Sequence, residues 1–137
     1  MKVLMLNGSC NPKGCTYTAL TEVGKALTSA GIDYEIVQLD GGPVRDCIGC
    51  NQCSKNGCVF TDDGVNDFIA KARQADGFVF GTPVYYAHPS GRVLSFLDRV
   101  FYAGGSAFAG KPGAAVASAR RAGTTASLDA LGKYFGI

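Results

Sequence analysis

Histidine is almost missing from this 137-residue chain, in which His88 stands alone. Hydrolysis by a nucleophile and an imidazole base has no Ser-His-Asp arrangement to rest on, and no catalytic nucleophile or general base is expected. His88 reads as an ordinary surface or interface histidine, with a gate over a substrate face as the alternative. Long apolar runs are lacking too. Met1-Lys2 leads straight into Val3 to Leu6, too short for the core of a signal peptide and far short of the ~20 residues of a membrane span. The expected setting is therefore cytoplasmic, where disulfides are disfavoured. Nor does one sign of charge dominate: 13 Lys plus Arg face 11 Asp plus Glu, with no basic run. That balance excludes a nucleic-acid footprint or an anionic-membrane surface, and leaves small molecules and other protein chains as partners. Gly-x-Gly-x-x-Gly, a Walker motif and internal repeats are all absent. The length suits one core, read as a single domain over residues 1–137.

What is present is a regular alternation. Nineteen glycines sit singly or in pairs at the ends of apolar runs, where positive φ or close backbone approach is needed. The runs themselves alternate with helical periodicity, which argues for successive βα units and a parallel sheet covered on both faces. Val3 to Leu6 is a buried strand, and Thr16 to Ala30 a helix with Leu20, Val23, Leu27 and Ala30 on its apolar face. Gly31 then reads as a left-handed cap with Ile32 closing over it. Tyr34 to Leu39 is a second strand, followed by a helix carrying Val65, Phe68, Ile69 and Ala72. Phe78 to Phe80 is a wholly apolar third strand, Ser90 to Tyr102 a helix, Ala114 to Ala117 a fourth strand, and Leu128, Leu131 and Phe135 mark a last helix. A fourth strand this apolar is an exposed edge, so either the chain is truncated or a neighbouring chain covers it.

Between the second strand and second helix, within a segment at 41–61, lie Cys47, Cys50, Cys53 and Cys58. The Cys-x2-Cys-x2-Cys-x4-Cys spacing lets thiolates converge on one centre. An iron-sulfur cluster, a zinc or idle thiol loop, and disulfide or other redox thiols are the competing readings. Asp62 and Asp63 stand where a helix N-terminus favours negative charge. Cys10 and Cys15 read as packing or loop residues, because a free cysteine behaves as a small hydrophobe.

In an open parallel sheet, loops at the carboxyl ends of strands gather where strand order reverses. Three loops are expected to meet there. Gly8 to Thr16 offers hydroxyls, an amide and backbone donors at a helix N-terminus, which suit a phosphate; an ordinary capping turn is the alternative. Thr82 to Tyr86 delivers backbone groups and two rings to the crevice mouth, where a flat ring has room to lie, unless Tyr85 and Tyr86 are interface aromatics. Ser118 to Thr124 brings Arg120 and Arg121, either solvated surface charges or, at the end of a buried strand, a means of stabilising negative charge on a reduced cofactor ring.

Taken together, the Gly8-Ser9 loop, the Gly81-Thr82-Pro83-Val84-Tyr85-Tyr86 stretch leading into Ser95-Phe96-Leu97-Asp98-Arg99, and Cys47 to Cys58 followed by Asp62-Asp63 resemble the flavodoxin-like NAD(P)H-dependent FMN reductase family. The cysteine segment resembles that of its iron-sulfur flavoprotein branch. The resemblance implies an α/β fold with an open parallel sheet and helices on both faces, here of order 2-1-3-4, since the final strand and helix expected of the family are absent from these residues. By resemblance, Ser9, Asn11, Cys15, Thr16 and Tyr17 would hold the FMN phosphate. Pro83, Val84, Tyr85 and Tyr86 would border the isoalloxazine, and Ser118, Arg120, Gly123 and Thr124 would contact its pyrimidine side or the ribityl chain. Cys47, Cys50, Cys53 and Cys58 would ligate a [4Fe-4S] cluster. The implied activity is FMN-dependent oxidation of NAD(P)H, with electrons passed to a quinone, a nitro or azo compound, a flavin or an iron-sulfur acceptor. The alternative is a non-catalytic electron-transfer module, and a homodimer or homotetramer is implied in either case. Two positions depart from the family, which often has Arg where Asn11 stands and Asn where Cys15 stands.

Overall fold

The computed structural model describes residues 1–39, 41–53 and 57–136. Part of the cysteine-rich segment, residues 54–56, therefore lies outside the described residues. Strands β1 (Lys2–Asn7), β2 (Asp33–Gln38), β3 (Gly77–Tyr85), β4 (His88–Pro89) and β5 (Gly113–Ser118) alternate with helices α1 (Cys15–Ser29), α2 (Val65–Arg73), α3 (Gly91–Gly104) and α4 (Thr124–Gly132). The sheet runs β2-β1-β3-β5, all parallel, as the alternating pattern requires. The expected fourth strand is β5, and the short β4 is an addition to the expected order.

That addition changes the second loop. Thr82 to Tyr86, expected to be a loop, is instead the carboxyl end of β3 and the start of the hairpin turn that leads back onto β4. Parallel pairing carries β3 past β1: Asn7 pairs with Gly81, after which Thr82↔Ala117 and Pro83↔Ser118 continue along β5 alone. Pro83 lies beyond the last β1 pair, so its missing N–H interrupts no bond of that ladder. Tyr85↔His88 then closes the hairpin, with Tyr86 at φ 53° and Ala87 at φ 68° as the two central residues. Positive φ at both is the geometry of a type I′ turn, whose twist matches an antiparallel ribbon.

Period-2 alternation divides the core. Met5 and Val79 point to one face and meet Leu20 of α1, with Val23, Leu27, Tyr34, Ile36 and Val116 packed around them. Leu4, Leu6, Phe78 and Phe80 point to the other face and meet α2, α3 and Leu131 of α4. Aromatic rings dominate this second cluster. Phe108 lies 4.4 Å, centroid to centroid, from both Phe78 and Phe101, while Phe135 stacks on Phe80 at 5.1 Å. α1 ends as its sequence indicates: Gly31 has φ 73°, the Gly31 N–H donates to the Thr28 carbonyl and the Ile32 N–H to that of Leu27, the bond pair of a Schellman motif. No described helix is long and apolar enough to cross a membrane.

Leu20 is fully buried and is the one completely enclosed side chain that α1 contributes to its face. Leu20→Ala is expected to cost about 3 kcal/mol, read as a lower urea midpoint at unchanged slope. A loss below about 1 kcal/mol, the size of a surface change, would contradict the described packing of that face.

Candidate functional site

The first loop is built largely by its own side chains. Asn7 is fully buried at the end of β1, where its Oδ1 accepts the Ser9 N–H at 3.2 Å and its Nδ2 donates to Gln38 Oε1 at 2.6 Å. Gln38 in turn donates to the Ser9 carbonyl. The Ser9 hydroxyl accepts the Asn11 N–H, and Asn11 Oδ1 accepts the Lys13 N–H, each at 3.1 Å. Ser9 and Asn11 thus shape the turn, as Asx and Ser turns do. The chain then enters α1 with Gly14 at the cap, no side chain capping the first turn, and no acidic residue in it. The backbone N–H groups of Cys15, Thr16 and Tyr17 form that turn, the part of a helix that favours an anion.

The three loops touch one another. Thr16, buried on α1, shares a 2.8 Å hydrogen bond with Ser118 at the end of β5. Cys10 Sγ lies 3.7 Å from the Tyr85 hydroxyl, and this contact, with partial burial, pushes the Tyr85 phenol above its ordinary pKa. Gly123, the residue before α4, abuts the hairpin so closely that a Cβ there would stand 2.5 Å from Ala87 Cα. Gly8 is pinned in the same way: its N–H donates to the Gly81 carbonyl, and a Cβ would fall 2.0 Å from Val93 Cγ2. Pro83 is buried, Val84 partly so, Tyr85 half-exposed and Tyr86 fully exposed at the hairpin tip. Arg120 and Arg121 are exposed beyond β5, Thr124 begins α4, and His88 is an exposed strand residue whose Nδ1 lies 2.8 Å from the Pro89 carbonyl. Ser9, Asn11, Cys15, Thr16, Tyr17, Pro83 to Tyr86, Ser118, Arg120, Gly123 and Thr124 therefore all belong to one edge of the sheet.

The four cysteines of the long β2–α2 connection line a separate cavity of about 470 Å³, together with Phe60, Arg99 and Tyr102. They do not converge on a point: among the described residues no three His, Cys, Asp or Glu side chains form a single-ion site. A tetrahedral zinc needs sulfurs at about 2.3 Å from one centre, whereas a cluster is held by cysteines spaced around its volume. The donor set, four thiols lining one half-open cavity, is of the kind that would hold a cluster. Burial, followed by the neighbouring thiols of Cys58, Cys50 and Cys47, pushes the Cys53 thiol up. Cys58 is the buried member, Cys50 is intermediate, and Cys47 and Cys53 are exposed.

Asp62 and Asp63 stand directly before α2, where the sequence places them, but Gly64 is its cap residue and no side chain bonds to the first turn. The two carboxylates are taken by guanidinium groups. Asp62 pairs with Arg45, and Asp63 makes a two-point ion pair with Arg99, one contact at 3.1 Å. Arg99 is 1% exposed. Burial works against its charge, but Asp63 and the Cys58 sulfur more than offset this, so its pKa is raised. A stripe along α3 holds the cysteine segment in place: Arg92 donates to the Gly42 carbonyl, Ser95 to Asp46, and Arg99 to the Arg45 and Phe60 carbonyls. From α2, Asn66 accepts the Cys58 N–H at 2.8 Å and donates to its carbonyl at 2.9 Å.

Of these, Arg99 and Asn66 were not singled out from sequence as site residues. For Arg99 a signal was available, a cation placed among the apolar positions Phe96, Leu97 and Val100 of an amphipathic helix, which is costly unless a partner is supplied. Asn66 gave no comparable signal.

The sequence model of the NADPH-dependent FMN reductase family matches residues 1–137, and the chain belongs to that family. Two curated relatives are iron-sulfur flavoproteins. That of Methanocaldococcus jannaschii is 36% identical over 100 residues, 72% of this chain and 51% of the relative. One from Archaeoglobus fulgidus is 33% identical over 99 residues, 72% and 48% of the two chains. The chain spans about half the length of the curated relatives it matches. Among solved structures, a flavone reductase superposes with a TM-score of 0.74 at 17% identity, over 98% of this chain and 49% of that one. The FerB NAD(P)H:acceptor oxidoreductase of Paracoccus denitrificans gives 0.70 at 15% identity, over 98% and 71%. Both establish the flavodoxin-like fold.

Asn66→Ala strips the partners from both backbone groups of Cys58 and is expected to cost about 2 kcal/mol. Asn66→Asp, which can still accept the Cys58 N–H, should lose less. Equal losses in urea denaturation would contradict the two-bond clamp.

Proposed function

We propose that this chain is the FMN-binding electron-transfer unit of an NAD(P)H-dependent oxidoreductase whose cysteine cavity holds a [4Fe-4S] cluster. The observation that carries the reading is the mutual contact of three loops at the carboxyl edge of the sheet, through Thr16–Ser118, Cys10–Tyr85 and Gly123–Ala87, around an uncapped helix N-terminus. In this reading the N–H groups of Cys15, Thr16 and Tyr17 bind the phosphate, with Ser9 and Asn11 fixing the loop that presents them. Pro83, Val84, Tyr85 and Tyr86 border one edge of the ring; Ser118, Arg120, Gly123 and Thr124 border the other. FMN held there would supply the hydride and electron-transfer chemistry between the nicotinamide and the acceptor. The side chains bind, orient and shield; none serves as nucleophile or general base. Cys47, Cys50, Cys53 and Cys58 ligate the cluster.

The acceptor is a quinone, a nitro or azo compound, a flavin or an iron-sulfur centre, in keeping with the names of the structural neighbours, which include an azoreductase and a quinone oxidoreductase. Assembly as a homodimer or homotetramer in the cytoplasm completes the proposal.

Protein purified without oxygen is expected to take up FMN, to show flavin bands that bleach with NADPH, and to contain iron and sulfide. Bleaching without iron would leave a plain FMN reductase; iron without NADPH oxidation would leave an electron carrier; failure to take up FMN would overturn the reading. Thr16→Val, which removes the Ser118 bond at nearly constant shape, is expected to weaken FMN about tenfold, ~1.4 kcal/mol. A monodisperse monomer on gel filtration would overturn the assembly.

A further inference from the structure

One polar group in the cysteine cavity is left without a role by that reading. Arg99 directs two donors at sulfur: its Nε and one terminal nitrogen each lie 3.3 Å from Cys58 Sγ. The rest of the guanidinium is fully engaged, with the Asp63 carboxylate and the carbonyls of Arg45 and Phe60 accepting from it and the Phe60 ring 5.0 Å from its centre. It therefore has one orientation. Its sulfur partner is equally fixed, since Asn66 holds the Cys58 backbone from the other side and Cys58 is the buried member of the four. Of the three remaining cysteines, Cys47 and Cys53 are exposed and Cys50 is only partly buried.

A charged fork aimed at a thiolate sulfur affects more than position. Hydrogen bonds to ligand sulfurs and nearby charge are the protein's principal means of setting a cluster's potential, because they stabilise the more negative, reduced state. We propose that Arg99 is a positioning residue that fixes Cys58 as the anchoring ligand and raises the reduction potential of the cluster, with Asp63 as the counter-charge that limits the rise. The inference rests on the iron-sulfur reading above. Arginine is the residue suited to this role, since its planar fork serves sulfur and carboxylate together, whereas a lysine ammonium keeps the charge without the fork.

The two residues carry opposite signs, which gives a test that a merely structural role does not pass. The cluster potential of the FMN-loaded protein is measured by anaerobic dithionite titration followed by EPR, for wild type, Arg99→Lys, Arg99→Gln and Asp63→Asn. Retained circular dichroism and FMN uptake serve as checks on the fold. Both Arg99 variants are expected to shift the potential to more negative values by at least a tenfold change in the reduction equilibrium, about 59 mV for one electron. Arg99→Gln should shift furthest, and Asp63→Asn should shift the potential the other way. Unchanged potentials in folded, iron-containing variants would overturn the role of Arg99 while leaving the cluster reading intact. Shifts of the same sign in all three variants, or loss of iron from all three folded variants, would do the same. Wild-type protein that holds no iron or sulfide would fell the cluster reading itself, and this inference with it.

Discussion

Parallel pairing on both sides of β3 is the constraint from which the site follows. Because β1 and β5 both run with β3, all three strands emit their loops at the same edge, and the registers Leu6↔Phe80 and Phe80↔Ala115 keep those ends level. A single antiparallel neighbour would have sent one loop to the far end. Thr16 and Ser118 then come within hydrogen-bond distance although they are remote in sequence. The hairpin adds the remaining wall, and its two positive-φ residues are the local strain that places Tyr86 wholly in solvent at the crevice mouth.

The buried Arg99–Asp63 pair needs a different account. Desolvating two charges costs several kcal/mol for each ion, which mutual attraction repays only when every donor and acceptor is matched. Here the matching is extensive, with sulfur, carboxylate and two carbonyls around one guanidinium. Such an arrangement adds little net stability compared with a hydrophobic replacement, yet it leaves the cysteine connection few ways to sit. A segment this long between β2 and α2, with no helix or extended strand among its described residues, is the kind of loop that is otherwise hard to hold in one place. Side chains on α3 and α2 take the place of secondary structure.

Most of the architecture was legible because it is written in periodicity. The continuous apolar run of β1, the 3.6-residue spacing of Leu20, Val23 and Leu27, and the glycine cap at Gly31 are local signals that tertiary packing reinforces. The first and third loops of the candidate site were legible for the same reason, each following a recognisable strand. What the sequence did not disclose was long-range pairing of polar groups. Asp62 and Asp63 carry the composition of a helix start, and nothing local says that arginines from elsewhere will claim them. Thr82-Pro83 carries the composition of a loop, and only the register with β5 turns it into strand.

Helix α3 joins the two halves of the candidate site. Its start is fastened to the loop edge of the sheet, where the Thr82 hydroxyl accepts the Ser90 N–H at 3.1 Å and Val93 packs against Gly8. Its side stripe of Arg92, Ser95 and Arg99 holds the cysteine segment. At 1.5 Å per residue, Ser90 and Arg99 are separated by about 14 Å along one rigid rod. The buried face of that rod, from Val93 through Val100, is locked against the aromatic core. Relative movement of the two sites would require α3 to slide on the sheet, and close-packed aromatic layers resist such movement. The same packing that stabilises the fold therefore also sets the geometry between the loops and the cysteines.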